Sequence, residues 1–493
     1  MSESLRRRTL RGALWTFLER IGTQSVHFLV TIILARLLMP SDYGAIGMLT
    51  VFLSVSQLFI DCGFGSALIR KESRTEEDFS TVFWYNLAIA TVCYAVLFVT
   101  APFIASFYKM PILSNILRVL GLNLIINALY TVQITKLTSL VKFDLQAKIA
   151  VASCVVSGAI GIGLAYGGVG VWALVGQSMS AALFSAIIFW LFSGWRPQFL
   201  FSGKAFRDLF GFGSKIMVAG ALHTIYTNIS PLIIGRKYSA SDLGYYSRGE
   251  SLAALPGGVL QSTLGSVIFP VLSSIQNDEM RLRTAYRKYL QIVAAIVAPA
   301  MLLLAACAEP IVTVLIGEKW LPCVPYLQIL AIGWVCEPIL VVNLNIVYVK
   351  GRSDIVLKLE AIKKLIAIGI VIVSVQFGVL WLCVGRMLYA YIALLLNIYF
   401  CGPFIGMGFC KQVKEVWRIY ASALIAAVVA YCVAYLPCFI SNAEGMWRAQ
   451  FIRLMVSGVI GAGVYMFLAI AQRFNVVTEM LPLISKVRGQ LCK

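Results

Sequence analysis

Long apolar stretches separated by short polar loops recur along the chain from residue 13 onward. An α-helix rises about 1.5 Å per residue, so roughly 20 apolar residues cross the hydrocarbon core of a bilayer. Fourteen stretches approach or exceed that length, with approximate limits 13–36, 43–69, 79–107, 112–135, 145–166, 170–194, 209–235, 243–270, 285–315, 321–349, 355–377, 379–402, 416–438 and 448–472. The pattern therefore predicts an all-α polytopic membrane protein of about 14 transmembrane helices (TM1–TM14).

A short pattern occurs twice in the chain, at an offset of 200 residues. Residues 32–44 read IILARLLMPSDYG and residues 232–244 read LIIGRKYSASDLG. The identical pairs are Arg36 and Arg236, Ser41 and Ser241, Asp42 and Asp242, and Gly44 and Gly244. Internal repeats are a common construction of secondary transporters, with the substrate site between the repeats. We therefore expect two pseudo-symmetric six-helix lobes, followed by two C-terminal helices.

The segment 195–208 is the longest polar interruption near the middle of the chain and gives the lobe boundaries. We predict an N-lobe at 1–194 (TM1–6), a cytoplasmic linker at 195–208, and a C-lobe at 209–402 (TM7–12). TM13–14 and a cytoplasmic tail occupy 403–493. Because each lobe has an even number of spans, both begin on the same side, which requires a pseudo-twofold axis along the membrane normal.

Composition supports the membrane location and charge gives the orientation. Hydrophobic residues make up 60% of the 493 residues and charged residues 13%, with a net charge of +19. In one alternating set of loops and tails there are 27 basic residues, whereas the opposite loops hold six. Those six are Lys109, Arg236, Lys237, Lys319, Arg448 and Arg453. By the positive-inside rule both termini are cytoplasmic, and the charge is an orientation signal rather than a nucleic-acid-binding surface.

The sequence contains no pattern typical of an enzyme or a metal site. Most of the 12 cysteines stand singly in apolar spans without a CxxC pair, as small packing residues do. No glycine-rich phosphate loop, Ser-His-Asp set or metal-spaced His/Cys group occurs. We expect no catalytic residue, no cofactor and no metal.

Polar residues form one stripe on each of the first two spans. The first stripe consists of Thr16, Arg20, Gln24, His27 and Thr31, and the second of Thr50, Ser54, Gln57 and Asp61. Spacings of three and four residues place each set on a single helical face. The stripes either pack together in a dry interface or line a wet cavity, and a buried arginine favours the cavity.

Spans 7 and 8 repeat this feature. Span 7 carries Lys215 and His223 ahead of Pro231, which predicts a kink or break. Span 8 carries Arg248 and is predicted to be interrupted at residues 256–258 by Pro-Gly-Gly. The only two histidines of the chain, His223 and that of the first stripe, thus lie on repeat-related spans. Each is either a hydrogen-bonded helix contact or a proton carrier.

Cations are predicted at both ends of a central cavity. Arg20 and Lys215 lie roughly 10 Å in from the cytoplasmic ends of their spans, and Arg248, Arg118 and Arg386 lie about as far in from the outer ends. Such groups bind anions by charge-assisted hydrogen bonds, and cations on two lobes fit a pyrophosphate better than a small anion.

Acidic groups offer counter-ions or coupling sites for these cations. They are Glu19, beside Arg20, together with Asp61, Glu250 and Glu337. Lys363 and Lys364, at the start of span 11, are predicted to snorkel to the cytoplasmic surface and are left out of the cavity.

Three segments carry a resemblance to a known family. They are RGALWTFLERIGTQSVHFLVTIILARLLMPSDYGAIGML at 11–49, DCGFGSALIR at 61–70, and DLGYYSRGESLAALPGGVLQSTLGSVIFPVLSSI at 242–275. The chain resembles polysaccharide-transport flippases of the Wzx type, best the WzxC-like branch, over nearly its whole length. Peptidoglycan-precursor flippases carry several arginines low in span 1, whereas this chain has only Arg20 there.

The resemblance implies the fold of the multidrug/oligosaccharidyl-lipid/polysaccharide exporter superfamily, in which two lobes alternate between inward and outward openings. It implies a transporter of the bacterial inner membrane that flips polyprenyl-pyrophosphate-linked oligosaccharides to the outer leaflet for surface polysaccharide synthesis. The family's cavity is lined chiefly by spans 1, 2, 7 and 8, so Arg20, Lys215 and Arg248 are the leading candidates for pyrophosphate contact. Membrane lipids, a polysaccharide polymerase and glycosyltransferases are the other expected partners.

Two further function classes remain to be weighed. A cation-coupled multidrug exporter of the same fold usually has 12 spans and an acidic cavity, whereas this cavity is predicted to be basic. A membrane polymerase or ligase acting on lipid-linked glycans usually has a large outer loop, whereas the outer loops here are short. We predict that the chain is not an enzyme.

Overall fold

The computed structural model describes residues 22–71, 73–436, 447–472 and 474. These residues are almost entirely helical and include no β-strand. The first half contains α1 (Gly22–Leu37), α2 (Pro40–Asp61), α3 (Phe64–Arg70), α4 (Glu76–Phe107), α5 (Ile112–Ser139), α6 (Phe143–Tyr166), α7 (Trp172–Phe192) and α8 (Gly203–Lys237). The second contains α9 (Ala240–Ser274), α10 (Glu279–Ala306), α11 (Ala308–Leu315), α12 (Val324–Trp334), α13 (Glu337–Val349), α14 (Ser353–Ser374), α15 (Val379–Cys401), α16 (Phe409–Ala434) and α17 (Trp447–Ala471). Short 3-10 helices lie at Glu318–Cys323 and Gly402–Ile405.

The predicted all-α membrane fold is confirmed, while the count of fourteen spans stays a prediction. Within the described chain, eleven helical segments are long and apolar enough to cross a membrane, and α1 is a shorter apolar helix. Both α9 and α14 lie where spans are predicted but are not among the eleven. For α14 the reason is its charge, since Lys358, Glu360, Lys363 and Lys364 interrupt its apolar sequence.

Several predicted spans differ from the observed helices in their continuity. Span 2 breaks between α2 and α3, where Cys62 and Gly63 have left-handed φ values of 40° and 69°. Span 9 is divided into α10 and α11, and span 10 into a 3-10 helix, α12 and α13. The predicted interruption at 256–258 is wrong, because α9 continues through it, and α8 continues through Pro231, so of the predicted kink or break only the kink stays a prediction. Packed neighbours and local adjustment let membrane helices accommodate proline and glycine.

The chain divides into two compact units, residues 1–244 and 245–493. In the first, α4 packs on α5, α6 on α7, and α2 on α8. In the second, α10 and α17 pack on α16, and α12 and α14 pack on α15. The core of the second unit contains a polar contact, in which the Tyr286 hydroxyl donates to Asn343 Oδ1 at 2.7 Å with both residues fully buried. The predicted lobe boundaries remain a prediction.

The start of α4 is anchored by buried charge in the first unit. Asp78 is 1% exposed and accepts from Lys71 Nζ at 2.7 and 2.8 Å. It also completes a reciprocal cap with Thr75, whose hydroxyl accepts from the Asp78 amide at 3.2 Å. A paired, fully hydrogen-bonded carboxylate compensates for its own burial, so this corner fixes the turn between α3 and α4.

The predicted linker packs on α4 in the same unit. Trp195 is 5% exposed, lies against Phe79 and Phe83, and donates from Nε1 to Glu76 at 2.6 Å. The amide of Gln198 donates to the Ser80 hydroxyl at 3.0 Å. The beginning of the segment 195–208 is therefore bound along α4.

Candidate functional site

The two repeat segments adopt matching structures. Helices α1 and α8 end at Leu37 and Lys237, and α2 and α9 begin at Pro40 and Ala240, each pair 200 residues apart. Both second helices begin with the same cap, in which Asp42 accepts from the amide of Met39 at 2.9 Å and Asp242 accepts from the amide of Ser239 at 3.1 Å. The repeat read from the sequence is thus present in the helix boundaries and their capping.

The repeat-related glycines make a reciprocal contact between the first turns of α2 and α9. A Cβ added to Gly44 would lie 1.7 Å from the carbonyl oxygen of Ala240, and one added to Gly244 would lie 2.0 Å from that of Pro40. Both values are far inside van der Waals contact with a backbone atom. Only glycine fits at either position in this conformation. We call this pair the glycine contact.

Glycines also bring α8 against α2 and α3. A Cβ on Gly213 would lie 2.5 Å from the Cys62 carbonyl oxygen, and one on Gly220 would lie 3.0 Å from a methyl group of Leu58. Since each residue turns a helix by about 100°, Lys215 lies about 200° from Gly213, on the opposite side of α8. Lys215 is exposed and, among the described residues, makes no hydrogen bond or ion pair.

The predicted stripe on α1 is exposed at two of its three described positions. Gln24 and His27 are both exposed, and the His27 ring nitrogen Nδ1 lies 3.4 Å from the Thr31 hydroxyl. Arg20 and Glu19 lie outside the described residues. His223, the repeat-related histidine on α8, is exposed as well.

The predicted acid on α2 is half-buried and paired within its own helix. Asp61 accepts a hydrogen bond from Gln57 Nε2 at 2.9 Å. These two members of the second stripe therefore bind each other, four residues apart.

Arg386 and Glu250 form an ion pair between α15 and α9. Arg386 donates from one terminal nitrogen to Glu250 and, at 2.8 Å, to the hydroxyl of Tyr246. Tyr246 is 1% exposed, whereas the Arg386 and Glu250 side chains are 39% and 30% exposed. This arrangement neutralises Arg386 and holds α9 against α15.

The other two predicted outer cations have separate surroundings. Arg248 lies roughly 200° around α9 from Tyr246, on a different face from the ion pair. Arg118, on α5, lies over the ring of Phe98 on α4, with its central carbon 4.6 Å from the ring centroid. Arg248 and the Arg386–Glu250 ion pair therefore lie on different faces of α9.

Sequence reasoning missed a buried network at the start of α11. Arg453 is 3% exposed and donates to Glu309 at 3.0 Å, and Glu309 also accepts from the Tyr435 hydroxyl at 2.5 Å. Counting Arg453 among the loop cations was therefore wrong, because it lies inside α17 and joins that helix to α11.

The expected snorkelling of Lys363 is also wrong. Its side chain is only 6% exposed and pairs with Glu360 on the same helix. The intramembrane position of Glu360 three residues earlier is the signal that could have indicated this pair.

A double-mutant cycle tests the role of the Arg386–Glu250 pair. Arg386→Gln or Glu250→Gln alone leaves one charge unpaired, and breaking such a pair costs about 3–5 kcal/mol when it is buried. Discounting for the partial exposure, we expect each single variant to lower thermal stability clearly and the double variant to recover most of the loss. Additive losses in the double variant would show that the two charges act independently.

Comparison with known proteins agrees with this architecture. The pattern of the family described as "Polysaccharide biosynthesis protein" matches residues 33–325. The chain is 26% identical to the succinoglycan biosynthesis transport protein ExoT of Rhizobium meliloti (strain 1021), over 96% of this chain and 94% of ExoT. It is 23% identical to the lipopolysaccharide biosynthesis protein WzxC of Escherichia coli (strain K12), over 87% and 88% respectively.

A solved structure shows the same fold. Lipid II flippase MurJ, in an inward closed conformation, matches with a TM-score of 0.74 at 15% identity, covering 95% of this chain and all of MurJ. The predicted resemblance to Wzx-type proteins and the predicted exporter fold are confirmed. Within the described residues, no group of three or more His, Cys, Asp or Glu side chains could hold a metal ion.

Proposed function

Because the chain belongs to the polysaccharide biosynthesis protein family, we propose that it flips oligosaccharide repeat units linked to polyprenyl pyrophosphate. The movement runs from the cytoplasmic to the outer leaflet of a bacterial inner membrane, by alternating access and with both chain termini in the cytoplasm. The product feeds the synthesis of a surface polysaccharide such as O-antigen, capsule or exopolysaccharide. The protein is a carrier in this proposal and performs no covalent chemistry.

The observation that carries the proposal is Lys215. It is a cation within an apolar helix, on the face of α8 turned away from α2 and α3, and it has no protein partner among the described residues. An ionisable group at membrane depth is costly unless it meets water or an opposite charge. A pyrophosphate supplies that charge, and Lys binds it as a compact cation.

In the proposed site, Arg20, Lys215 and Arg248 bind the pyrophosphate, and Gln24 and Arg118 border the path of the glycan. Arg386 acts through its ion pair, by holding α9, which carries Arg248, against α15. His27, Asp61 and His223 are proposed coupling groups, and Glu250 and Glu19 are counter-ions.

The drug-exporter alternative shares the fold but not the charge. A solved multidrug transporter of the MATE family matches with a TM-score of 0.58 at 16% identity, which concerns the fold alone. The predicted cations at both ends of the cavity repel cationic drugs and attract phosphate. These charges favour the lipid-linked glycan.

Deletion of the gene tests the proposal in the cell. We expect loss of the surface polysaccharide and accumulation of its lipid-linked repeat unit, with the glycan facing the cytoplasm. Labelling of that glycan in intact and in permeabilised cells distinguishes the two leaflets. Normal surface polysaccharide in the deletion strain, or accumulation of repeat units already on the outer leaflet, would contradict the proposal.

A further inference from the structure

An apolar groove of about 720 Å³ lies beside the turn that joins α15 to α16, in the second unit. Its lining includes Leu395, Tyr399, Pro403 and Phe409. Leu395, Tyr399 and Phe409 are 49%, 76% and 50% exposed. The positive-inside pattern puts this turn at the cytoplasmic surface, so the groove opens at the level of the inner leaflet.

Two cations stand at the Gly406 end of this groove. Lys411 Nζ donates to the carbonyl oxygen of Gly406 at 3.1 Å. One terminal nitrogen of Arg283, on α10, lies 3.9 Å from where a Cβ on Gly406 would be. Gly406 has a left-handed φ of 60° and itself lines the groove. Two cations therefore lie next to one end of the apolar groove.

Arg283 differs from its neighbours on α10 in having no acidic partner. Among the described residues it makes no hydrogen bond or ion pair. By contrast, Arg281 pairs with Asp278 at 3.2 Å and Arg287 pairs with Glu415 at 2.5 Å. The hydrogen-bond donors of Arg283 are therefore available to an anion at the Gly406 end of the groove.

We propose that this groove is a binding site for an anionic phospholipid of the inner leaflet. The phosphate of the head group accepts from Arg283 and Lys411, and an acyl chain lies along Leu395, Tyr399 and Phe409. Arginine binds phosphate bidentately, and basic pockets near the cytoplasmic ends of membrane helices attract anionic head groups. A soluble phosphate would contact only the two cations and leave the apolar groove exposed.

A second groove of this unit provides an internal comparison. It has a volume of about 490 Å³ between α14 and α15 and is lined by residues such as Val373, Trp381 and Leu388, with no charged side chain. A lipid chain can occupy either groove, since both linings are uncharged, but only the groove near Gly406 has Lys411 and Arg283 beside one of its lining residues to select the head group. Discrimination between anionic and zwitterionic lipids is therefore expected only at the groove near Gly406.

The test measures lipid retained by the purified full-length protein, using native mass spectrometry with equal amounts of phosphatidylglycerol and phosphatidylethanolamine. The double variant Arg283→Gln/Lys411→Gln is compared with Arg281→Gln/Lys414→Gln, which removes the same charge from the same two helices. Each cation near an anionic surface contributes about 1 kcal/mol, so the first variant should reduce the preference for phosphatidylglycerol at this site by roughly thirtyfold. The control should retain it.

Two further measurements distinguish the binding of a phospholipid from the binding of free phosphate. Leu395→Trp, which fills the groove, should release the lipid. Millimolar inorganic phosphate should not displace it. Equal loss in both charge variants, an unchanged preference in the first variant, or displacement by inorganic phosphate would each overturn the proposal. The site does not depend on the transported substrate, so its failure would leave the proposed flippase function unaffected.

Discussion

Replacing Gly44 by alanine should reduce polysaccharide export by roughly 5- to 150-fold while the protein still inserts into the membrane. The added methyl group would lie 1.7 Å from the backbone oxygen of Ala240, and a backbone atom cannot rotate aside as a side chain can. Overpacking of this kind costs about 1–3 kcal/mol. That cost corresponds to a factor of roughly 5 to 150 in the population of the conformation in which α2 and α9 touch.

The repeat-related glycine, Gly244, allows the matching substitution on α9. Gly244→Ala would approach the Pro40 oxygen to 2.0 Å, so it should cause a loss of similar size. A carrier that alternates between two openings needs both conformations, and disfavouring one slows the whole cycle. Measuring export in a deletion strain, with protein level and membrane insertion checked separately, gives the size of each effect.

Gly163→Ala is the matched control. Gly163 lies in α6, and an added Cβ would meet no atom within 4 Å. Alanine is also the better helix former, by about 1 kcal/mol, so this variant should export normally. Normal export in the Gly44 and Gly244 variants would contradict the proposed role of the glycine contact.

The repeat and the helical membrane fold could be predicted because they depend on local patterns. Apolar length predicts helices, and the Asp42 and Asp242 caps come from an acidic residue at the third position of each helix. The glycine contact could not be predicted, because conformational freedom and close approach of a distant backbone are equally good reasons for a glycine. Only the three-dimensional structure shows which backbone atom lies nearby.

The continuity of helices depends on surroundings that the sequence does not describe. Pro-Gly-Gly at 256–258 resembles a breaker, yet α9 passes through it. Span 2 breaks instead at Cys62 and Gly63, where Gly213 of α8 approaches the backbone.

The partners of intramembrane charges were the least predictable part of the site. Arg386 and Glu250 are 136 residues apart in the chain, and their ion pair depends on how α9 and α15 pack. Lys215, by contrast, has no such partner: this cation, predicted to face the cavity, is exposed and makes no hydrogen bond or ion pair with a described residue. Polarity identified candidate residues, but only contacts separate those that hold helices together from those available to a ligand.

Lys215→Gln should abolish movement of the lipid-linked glycan even though the substitution is small and polar. It removes a charge that lies within the apolar part of α8, faces away from α2 and α3 and has no described partner, and a neutral amide cannot compensate a pyrophosphate. Lys215→Arg should retain part of the activity, because the charge persists with a different geometry. Lys204→Gln, which removes an exposed lysine near the start of the same helix, is the control and should transport normally.

The most direct test reconstitutes the purified protein in liposomes containing a polyprenyl-pyrophosphate-linked oligosaccharide. A membrane-impermeant glycosidase added outside reports which glycans have reached the outer leaflet. The substrate molecules whose glycans face the liposome interior are at first protected from this enzyme. We predict that they become accessible with the wild-type protein and remain protected with Lys215→Gln. Protection equal to that of protein-free liposomes in the wild-type sample, or transport by Lys215→Gln at the wild-type rate, would contradict the account.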